Sequence, residues 1–356
     1  MRLLFVKLGS IGDVVHTLPA LAAVRRALPG AEISWVVERG AAEILRDNPL
    51  LENLIVADTK ALRRVPVSGE TLSATRRQLR RLRASAFDSV LDFQGLLKSA
   101  LIARLSGARR SYGFARAGLR EPASRFLLHE QVETPARAHV IEKNLALVAG
   151  ALGVRVPTDP QDFEFPIATD ESHQREAEEA AAGSPFVILN PGGNWVTKLW
   201  GAERFGALAD ALLTSHGLRS LVTHGPGEAE LARQVIASSR LDAARPISLS
   251  LKGFYALARR AQVYVGGDTG PTHLAVAAGA PVVGLFGPTE WWRNGSPRPA
   301  DIEVGRADIA CRVDCHRRTC SNWVCMDIEV ARAAEAVGER LRRAGEARRA
   351  EAVTFA

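Results

Sequence analysis

The sequence predicts an α/β fold built as two doubly wound, Rossmann-like parallel-sheet domains. Three observations predict it. The chain has 356 residues, more than one hydrophobic core usually organises. Short apolar runs alternate with segments of helical period along most of its length, the pattern of βαβ units. The alternation is interrupted once, by VRVPTDPQDFEFP at 154–166, which holds three prolines and little helical pattern. It then starts again. The expected organisation is a first domain at 1–160, a second at 161–327, and a terminal helix at 328–356 that packs back on the first domain.

The elements follow in order. LLFVKL at 3–8 ends at Gly9 and reads as a buried parallel strand. Helical periodicity runs over 13–28 and stops at Pro29-Gly30. ISWVVE at 33–38 is a strand, 41–46 a short helix and LENLIVAD at 51–58 a third strand. A basic helix at 73–85, the strand SVLDFQ at 89–94 and helices at 97–105 and 142–152 complete the first half. The second half opens with FVILNPGG at 186–193, a strand running into a glycine turn. Helices at 202–216, 228–238, 254–260 and 272–278 alternate with strands at 220–225, 246–250, 262–268 and 281–287. The tail over 328–352 is an amphipathic helix rich in Ala, Arg and Glu.

Composition narrows the class. Hydrophobic residues make up 47% and charged residues 24%, an ordinary globular balance that excludes collagen-like and disordered chains. No apolar run reaches the roughly 18–20 residues of a membrane span. The start, MRLLFVKLGSIGD, lacks the apolar run and small-residue cleavage site of a secretion signal, so a cytoplasmic protein is expected. The net charge is +7, and between Lys60 and Arg137 there are 16 Lys and Arg against 6 Asp and Glu. That skew suits an anionic partner such as nucleic acid, a phosphorylated lipid or a membrane surface. Arg76, Arg77, Arg80, Arg81 and Arg83 by themselves read as a solvated helical face.

Open α/β sheets bind ligands outside the C-terminal ends of their strands, so the motifs at strand ends carry the chemistry. GGDTGPTHLAVAAG at 266–279 follows a strand and opens a helix. Its glycines allow close backbone approach, and the helix start with Thr269 and Thr272 suits a diphosphate. Pro271 fits the first helical turn. The bland alternative is a helix capped by Asp268 or Thr269. NPGGNWVTKLW at 190–200 also follows a strand, and its Lys198 is placed to neutralise phosphate charge on a leaving nucleotide, or else is an exposed lysine beside packed tryptophans. LGSIGDVVHTLPAL at 8–21 is neither G-x-G-x-x-G nor a P-loop. The missing dinucleotide fingerprint argues against an NAD-dependent oxidoreductase. Asp13 is read either as an N-cap or as a general base on an acceptor hydroxyl, and His16 as structural. In DFQGLLKSA at 92–100, Gln94 and Lys98 line an acceptor site together with Arg120 and Glu121, or cap and solvate a helix.

The four cysteines, Cys311, Cys315, Cys320 and Cys325, are spaced C-x3-C-x4-C-x4-C with His316 beside Cys315. Paired C-x2-C ligands are absent, so reduced thiols are the default and a zinc ion is the alternative.

Taken in order, KLGSIGDVVHTLPAL, DFQGLLKSA, REPAS, PGGNWVTKLW and DTGPTHLAVAAG resemble the family 9 glycosyltransferases, the lipopolysaccharide heptosyltransferases, over residues 1 to about 330. The resemblance implies a GT-B fold, two Rossmann-like domains facing a central cleft. It implies an inverting transfer of L-glycero-D-manno-heptose from ADP-heptose to the inner core of lipopolysaccharide, with no catalytic metal or cofactor. REPAS and HVIEKN at 139–144 are closer to the branch that adds the first heptose to the Kdo of lipid A. A second-heptose or other family 9 acceptor, and a non-catalytic nucleotide- or nucleic-acid-binding protein, are the alternatives. The motif match implies Asp13 as the general base and Lys198 as the donor-phosphate lysine. It implies Asp268 on the heptose, with Thr269, Gly270, Pro271, Thr272 and His273 in the donor loop. Gly193 and Asn194 fall beside the donor phosphates and Glu228 on the adenosine. Gly9, Ser10, Gln94, Lys98 and Arg120 fall to the acceptor, a Kdo-bearing lipid met at the cytoplasmic face of the inner membrane.

Overall fold

The computed structural model describes residues 1–58, 76, 77, 79, 80, 82–311, 315 and 317–354. The chain divides into two compact units, Met1–Ala168 and Thr169–Ala356. The division falls after the proline-rich segment rather than inside it.

The N-terminal unit holds one six-stranded, all-parallel sheet in the order β3-β2-β1-β4-β5-β6. Its strands are β1 (Arg2–Val6), β2 (Glu32–Glu38), β3 (Asn53–Ala57), β4 (Ser89–Asp92), β5 (Arg110–Phe114) and β6 (Glu130–Val132). The helices are α1 (Ile11–Val15), α2 (Leu18–Ala27), α3 (Ala42–Leu45), α4 (Leu97–Leu105) and α5 (Val140–Leu152). The single helix expected over 13–28 is two, because Pro19 enters α2 at its start and cannot continue the turn of α1. Strands β5 and β6 escape sequence reading. The first contains a glycine, and the second is three residues long with two of them exposed. Of the basic helix expected at 73–85, residues 76, 77, 79, 80 and 82–84 are helical and Ser85 is a turn; residues 73–75, 78 and 81 lie outside the described residues.

The C-terminal unit repeats the plan with the order β12-β11-β10-β7-β8-β9. Its strands are β7 (Phe186–Asn190), β8 (Arg219–Thr223), β9 (Ala244–Ile247), β10 (Val263–Gly267), β11 (Val282–Phe286) and β12 (Ile302–Gly305). Helices α6 (Glu171–Ala181), α7 (Ala202–His216), α8 (Ala229–Ser238), α9 (Leu251–Ala258), α10 (Gly270–Ala277), α11 (Trp291–Asn294) and α12 (Val330–Thr354) flank the sheet. The terminal helix departs from the expectation of a return to the first domain. Its Ala333 and Val337 are buried in the core of the C-terminal unit with Val187, Leu189 and Leu212. Arg340 and Arg298 share the fully buried carboxylate of Asp301, which also accepts from Val282 N and Ser296 Oγ.

Each sheet reverses strand order once. The reversal lies between β1 and β4 in the first unit and between β7 and β10 in the second, where outward-running connections part and leave a crevice. All four segments singled out for chemistry begin at these strand ends. Among the described residues no helix is long and apolar enough to cross a membrane.

Candidate functional site

In the C-terminal unit the site is built on the loops after β7 and β10. Asp268 follows β10 directly and is almost fully buried. Its Oδ2 pairs with Lys198 Nζ at 2.5 Å and accepts from Thr289 Oγ1 at 2.8 Å. Its Oδ1 accepts from Asn294 Nδ2 at 2.5 Å and lies 3.2 Å from His273 Nε2. Burial pushes the carboxyl up, but hydrogen bonding and charge from His273, and then from Lys198, outweigh it and hold the group well below the usual carboxylate range. Asp268 is therefore an anion across the working pH range. Lys198 also donates to Asp268 O at 3.2 Å, and its ammonium sits over the Trp195 ring at 4.3 Å from the centroid.

Beneath this pair lies a buried hydroxyl–amide network. Thr223 Oγ1 donates to Asn190 Oδ1, and Asn190 Nδ2 donates to Thr269 Oγ1. Tyr264 OH bonds Thr272 Oγ1 at 2.9 Å, and Thr272 Oγ1 donates to Gly267 O. Burial pushes the Tyr264 hydroxyl far above its usual range, so it stays protonated as a structural hydroxyl. Thr269 occupies the N-cap position of α10 with extended backbone, yet its side chain makes no capping bond because Asn190 holds it. Pro271 sits in the first turn. The start of α10 thus lacks a side-chain cap, which is the arrangement an incoming anion completes.

The structure brings together Lys198, Asp268, Thr269, Thr272 and His273. Gly193 joins them: a Cβ there would stand 3.4 Å from Thr269 Cγ2. Glu228 joins through its carboxylate, which accepts from Gly225 N at 2.9 Å and lies where a Cβ on Gly192 would be 2.5 Å from Oε2. A Cβ at Gly192 would displace the Glu228 carboxylate from this position. Asn194 is exposed in the same loop. Sequence reasoning missed Asn190, Tyr264, Thr289 and Asn294. It also missed the segment that braces the Lys198 turn, where Trp323 Nε1 donates to Thr197 O and Thr197 Oγ1 to Arg317 O.

That bracing segment carries the cysteines. Cys311, Cys315 and Cys320 are exposed and Cys325 is half-buried. Burial, and then the neighbouring Cys315, push the Cys325 thiol up. Among the described residues no group of His, Cys, Asp and Glu is placed to hold a metal ion, and His316 lies outside them.

In the N-terminal unit the turn after β1 packs against the turn after β4. Gly9 adopts φ +145°, a conformation that favours glycine. Ser10 is the N-cap of α1 and Asp13 its third residue, so the N-cap expectation for Asp13 shifts by one turn. Asp13 Oδ2 accepts from Ser10 N at 2.6 Å and Ser10 Oγ at 3.2 Å, as in a capping box. Its Oδ1 faces the buried Lys7 ammonium at 3.5 Å, and the carboxylate is 38% exposed. It is thus oriented from behind and open in front. Lys7 Nζ also donates to Phe93 O at 2.8 Å. Gln94 Oε1 accepts from Leu8 N and Gly9 N, tying the two turns together.

Asp92, fully buried, accepts from Gln94 N, Gly95 N and Ser99 Oγ. Burial pushes its carboxyl up to about 6 against those bonds and the Lys7 charge. Lys98 Nζ lies 3.7 Å from Glu38 Oε1, and Arg120 is exposed. His16 is buried edge-on to His139 with ring centroids 5.4 Å apart, a packing role. Neither Lys7 nor Asp92 stands out in the sequence as a partner of this turn.

Comparison with known proteins places these turns in a wider group. Residues 75–323 match the family model described as glycosyltransferase family 9 (heptosyltransferase). Lipopolysaccharide heptosyltransferase 1 of Pseudomonas aeruginosa is 32% identical over 321 residues, covering 90% of this chain and 88% of that protein. The solved E. coli heptosyltransferase WaaC with ADP-2-deoxy-2-fluoro heptose is similar, with 27% identity, a TM-score of 0.70, and coverage of 85% of this chain and 93% of that one. E. coli ADP-heptose lipopolysaccharide heptosyltransferase II shares the fold at a TM-score of 0.75 and 17% identity, covering 97% of this chain and 100% of that one.

Proposed function

The chain belongs to glycosyltransferase family 9, the heptosyltransferase family, and on that footing we propose that it moves L-glycero-D-manno-heptose from ADP-heptose to the Kdo of lipid A. It is a glycosyltransferase with two six-stranded Rossmann-like sheets, the domain pair of the GT-B fold. The heptose donor is supported by the relative named lipopolysaccharide heptosyltransferase 1 and by the WaaC complex with an ADP-heptose analogue.

The observation that carries the reading is the buried Lys198–Asp268 pair at the uncapped start of α10. A carboxylate oxygen offers about two lone-pair positions, and here Lys198, Thr289, Asn294 and His273 engage both oxygens. A heptose hydroxyl enters by taking the place of Lys198 on Oδ2. The ammonium then turns to the diphosphate, joining the α10 start in holding the charge that develops on ADP. Gly193 and Asn194 flank the phosphates, and Glu228 contacts the adenosine.

In the reaction, Asp13 takes the proton from the acceptor hydroxyl as that oxygen attacks the anomeric carbon. The bond from that carbon to the ADP oxygen breaks, ADP leaves with the electron pair, and the anomeric configuration inverts. Gly9, Ser10, Gln94, Lys98 and Arg120 orient the acceptor. The lipid-linked acceptor brings the protein to the cytoplasmic face of the inner membrane.

The test is a donor–acceptor screen with ADP-heptose, UDP-GlcNAc and GDP-mannose against Kdo-lipid A. Transfer from ADP-heptose alone, to Kdo, is expected. Preferred use of another donor, or heptose transfer only to an acceptor that already carries heptose, would overturn the assignment.

A further inference from the structure

We infer that the outward face of α4 and the neighbouring turn at Pro122–Leu127 form a docking surface for an anionic lipid bilayer. The inference deepens the proposed lipid-acceptor reading by naming the surface that would meet the membrane.

The helix α4 buries Ser99, Ala100 and Ala103 against the N-terminal core. Its period then turns Leu97, Leu101 and Arg104 outward, at i, i+4 and i+7. Leu97 and Leu101 remain 46% and 47% exposed, large values for leucines on a helix whose other face is packed. The 3-10 turn Pro122–Leu127 packs beside α4, and Glu121 Oε2 accepts from Leu97 N at 2.7 Å, fixing the two elements together. From this turn Phe126 projects with 74% exposure, while the following Leu127 and Leu128 face the core. Three large apolar side chains are thus presented on two linked elements.

Charge complementarity selects the occupant. The Arg125 guanidinium lies over the Phe126 ring, 4.3 Å from its centroid. Arg104 is exposed on α4, and Arg120 is exposed just before the turn. Arg83 Nε donates to Leu105 O, which brings the basic helical stretch with exposed Arg76, Arg77 and Arg80 to the C-terminal end of α4. Exposed apolar side chains on elements that also carry exposed guanidinium groups match an interface of acyl chains under anionic headgroups. The turn at 93–96, where Gln94 stands, leads directly into α4, which carries Lys98 in its first turn. An acceptor headgroup reaching that turn from a bilayer keeps its acyl chains in the membrane against Leu97, Leu101 and Phe126.

The experiment is co-sedimentation of the full chain with vesicles of phosphatidylglycerol and phosphatidylethanolamine, and with phosphatidylcholine vesicles as the uncharged control. No glycosyl acceptor is present. The chain is expected to bind the anionic vesicles and not the control. The double variant Leu101→Ser, Phe126→Ser is expected to weaken binding roughly tenfold. Arg104→Ser is expected to weaken it about fivefold and to lessen its salt dependence. Circular dichroism and ADP binding, unchanged in both variants, establish that they fold. Transfer to an acyl-free Kdo acceptor should be unchanged in the double variant, while transfer to a vesicle-embedded acceptor falls. Equal binding of wild type and double variant, or equal binding to both vesicle types, would overturn the surface. Failure of the wild-type chain to use any Kdo acceptor would instead overturn the transfer reading and leave the vesicle result to stand by itself.

Discussion

Replacing Asp92 with Asn is expected to stabilise the N-terminal unit at pH 8 and to leave it nearly unchanged at pH 4. Asp92 ends β4 and is fully buried. Burial raises its carboxyl from 3.8 to about 6, even with the opposing effect of Gln94 N, Ser99 Oγ, Gly95 N and the Lys7 charge. A folded value above the unfolded one means that the folded chain binds the proton more tightly. The associated stability is complete below the unfolded value and is lost as pH rises through about 6. At about 1.4 kcal/mol per pKa unit, the ionised carboxyl costs about 3 kcal/mol at pH 8. Asparagine keeps an oxygen for Gln94 N and Gly95 N, and its amide can donate to Ser99 Oγ. It gives up the attraction of Lys7, so the net gain is about 1–3 kcal/mol. Urea titration with pulsed hydrogen–deuterium labelling, read on peptides from β1 and β4, isolates this unit from the other. A variant less stable than wild type at pH 8, or a difference that does not change between pH 4 and pH 8, would show that the buried carboxyl carries no such cost.

Three further outcomes follow from the geometry. Lys198→Ala should slow single-turnover transfer by roughly 10²–10³, the usual effect of removing one preorganised charge-stabilising donor, with a rate near wild type counting against its role. Gly192→Ala places a Cβ against the Glu228 carboxylate and should weaken ADP binding roughly tenfold, as Glu228→Ala does. The double variant should be no worse than either single one in calorimetry; additive losses would separate the two residues. Arg340→Ala leaves Asp301 buried with Arg298 as its remaining cation and should destabilise the C-terminal unit by about 3 kcal/mol in urea unfolding, whereas a change within about 0.5 kcal/mol would show that α12 is anchored by its apolar face alone.

Much of this was legible because the chemistry sits where strands end. The runs at 3–8, 89–94, 186–193 and 262–268 are buried central strands, so they are continuous apolar stretches with glycine or polar residues at the exit. That pattern exposes the switch points before any coordinates are known. The edge strands β6 and β12 are short and partly solvated, and β5 is short and contains a glycine, so none of them carries such a signal. The partners of the site residues were hidden for a different reason. Lys7 meets Phe93 across 86 positions, and Asn294 meets Asp268 across 26. Their convergence depends on parallel pairing of β1 with β4 and on the path after β11, neither of which leaves a local mark in the sequence. The direction of the terminal helix was hidden as well, since an amphipathic face does not name the core it will join; Arg340 reaching Asp301 decides it.

In the proposed reaction Asp13 acts on the acceptor and the Lys198–Asp268 loop on the donor, so loss of the base should separate transfer from ADP binding. Single-turnover transfer from ADP-heptose to Kdo-lipid A is compared in wild type and Asp13→Asn, alongside calorimetric ADP binding. The Asp13→Asn rate should fall by roughly 10²–10⁴, the usual effect of losing a general base, with ADP affinity unchanged. A variant that transfers heptose at close to the wild-type rate, or one that loses ADP binding in step with transfer, would contradict that division of roles.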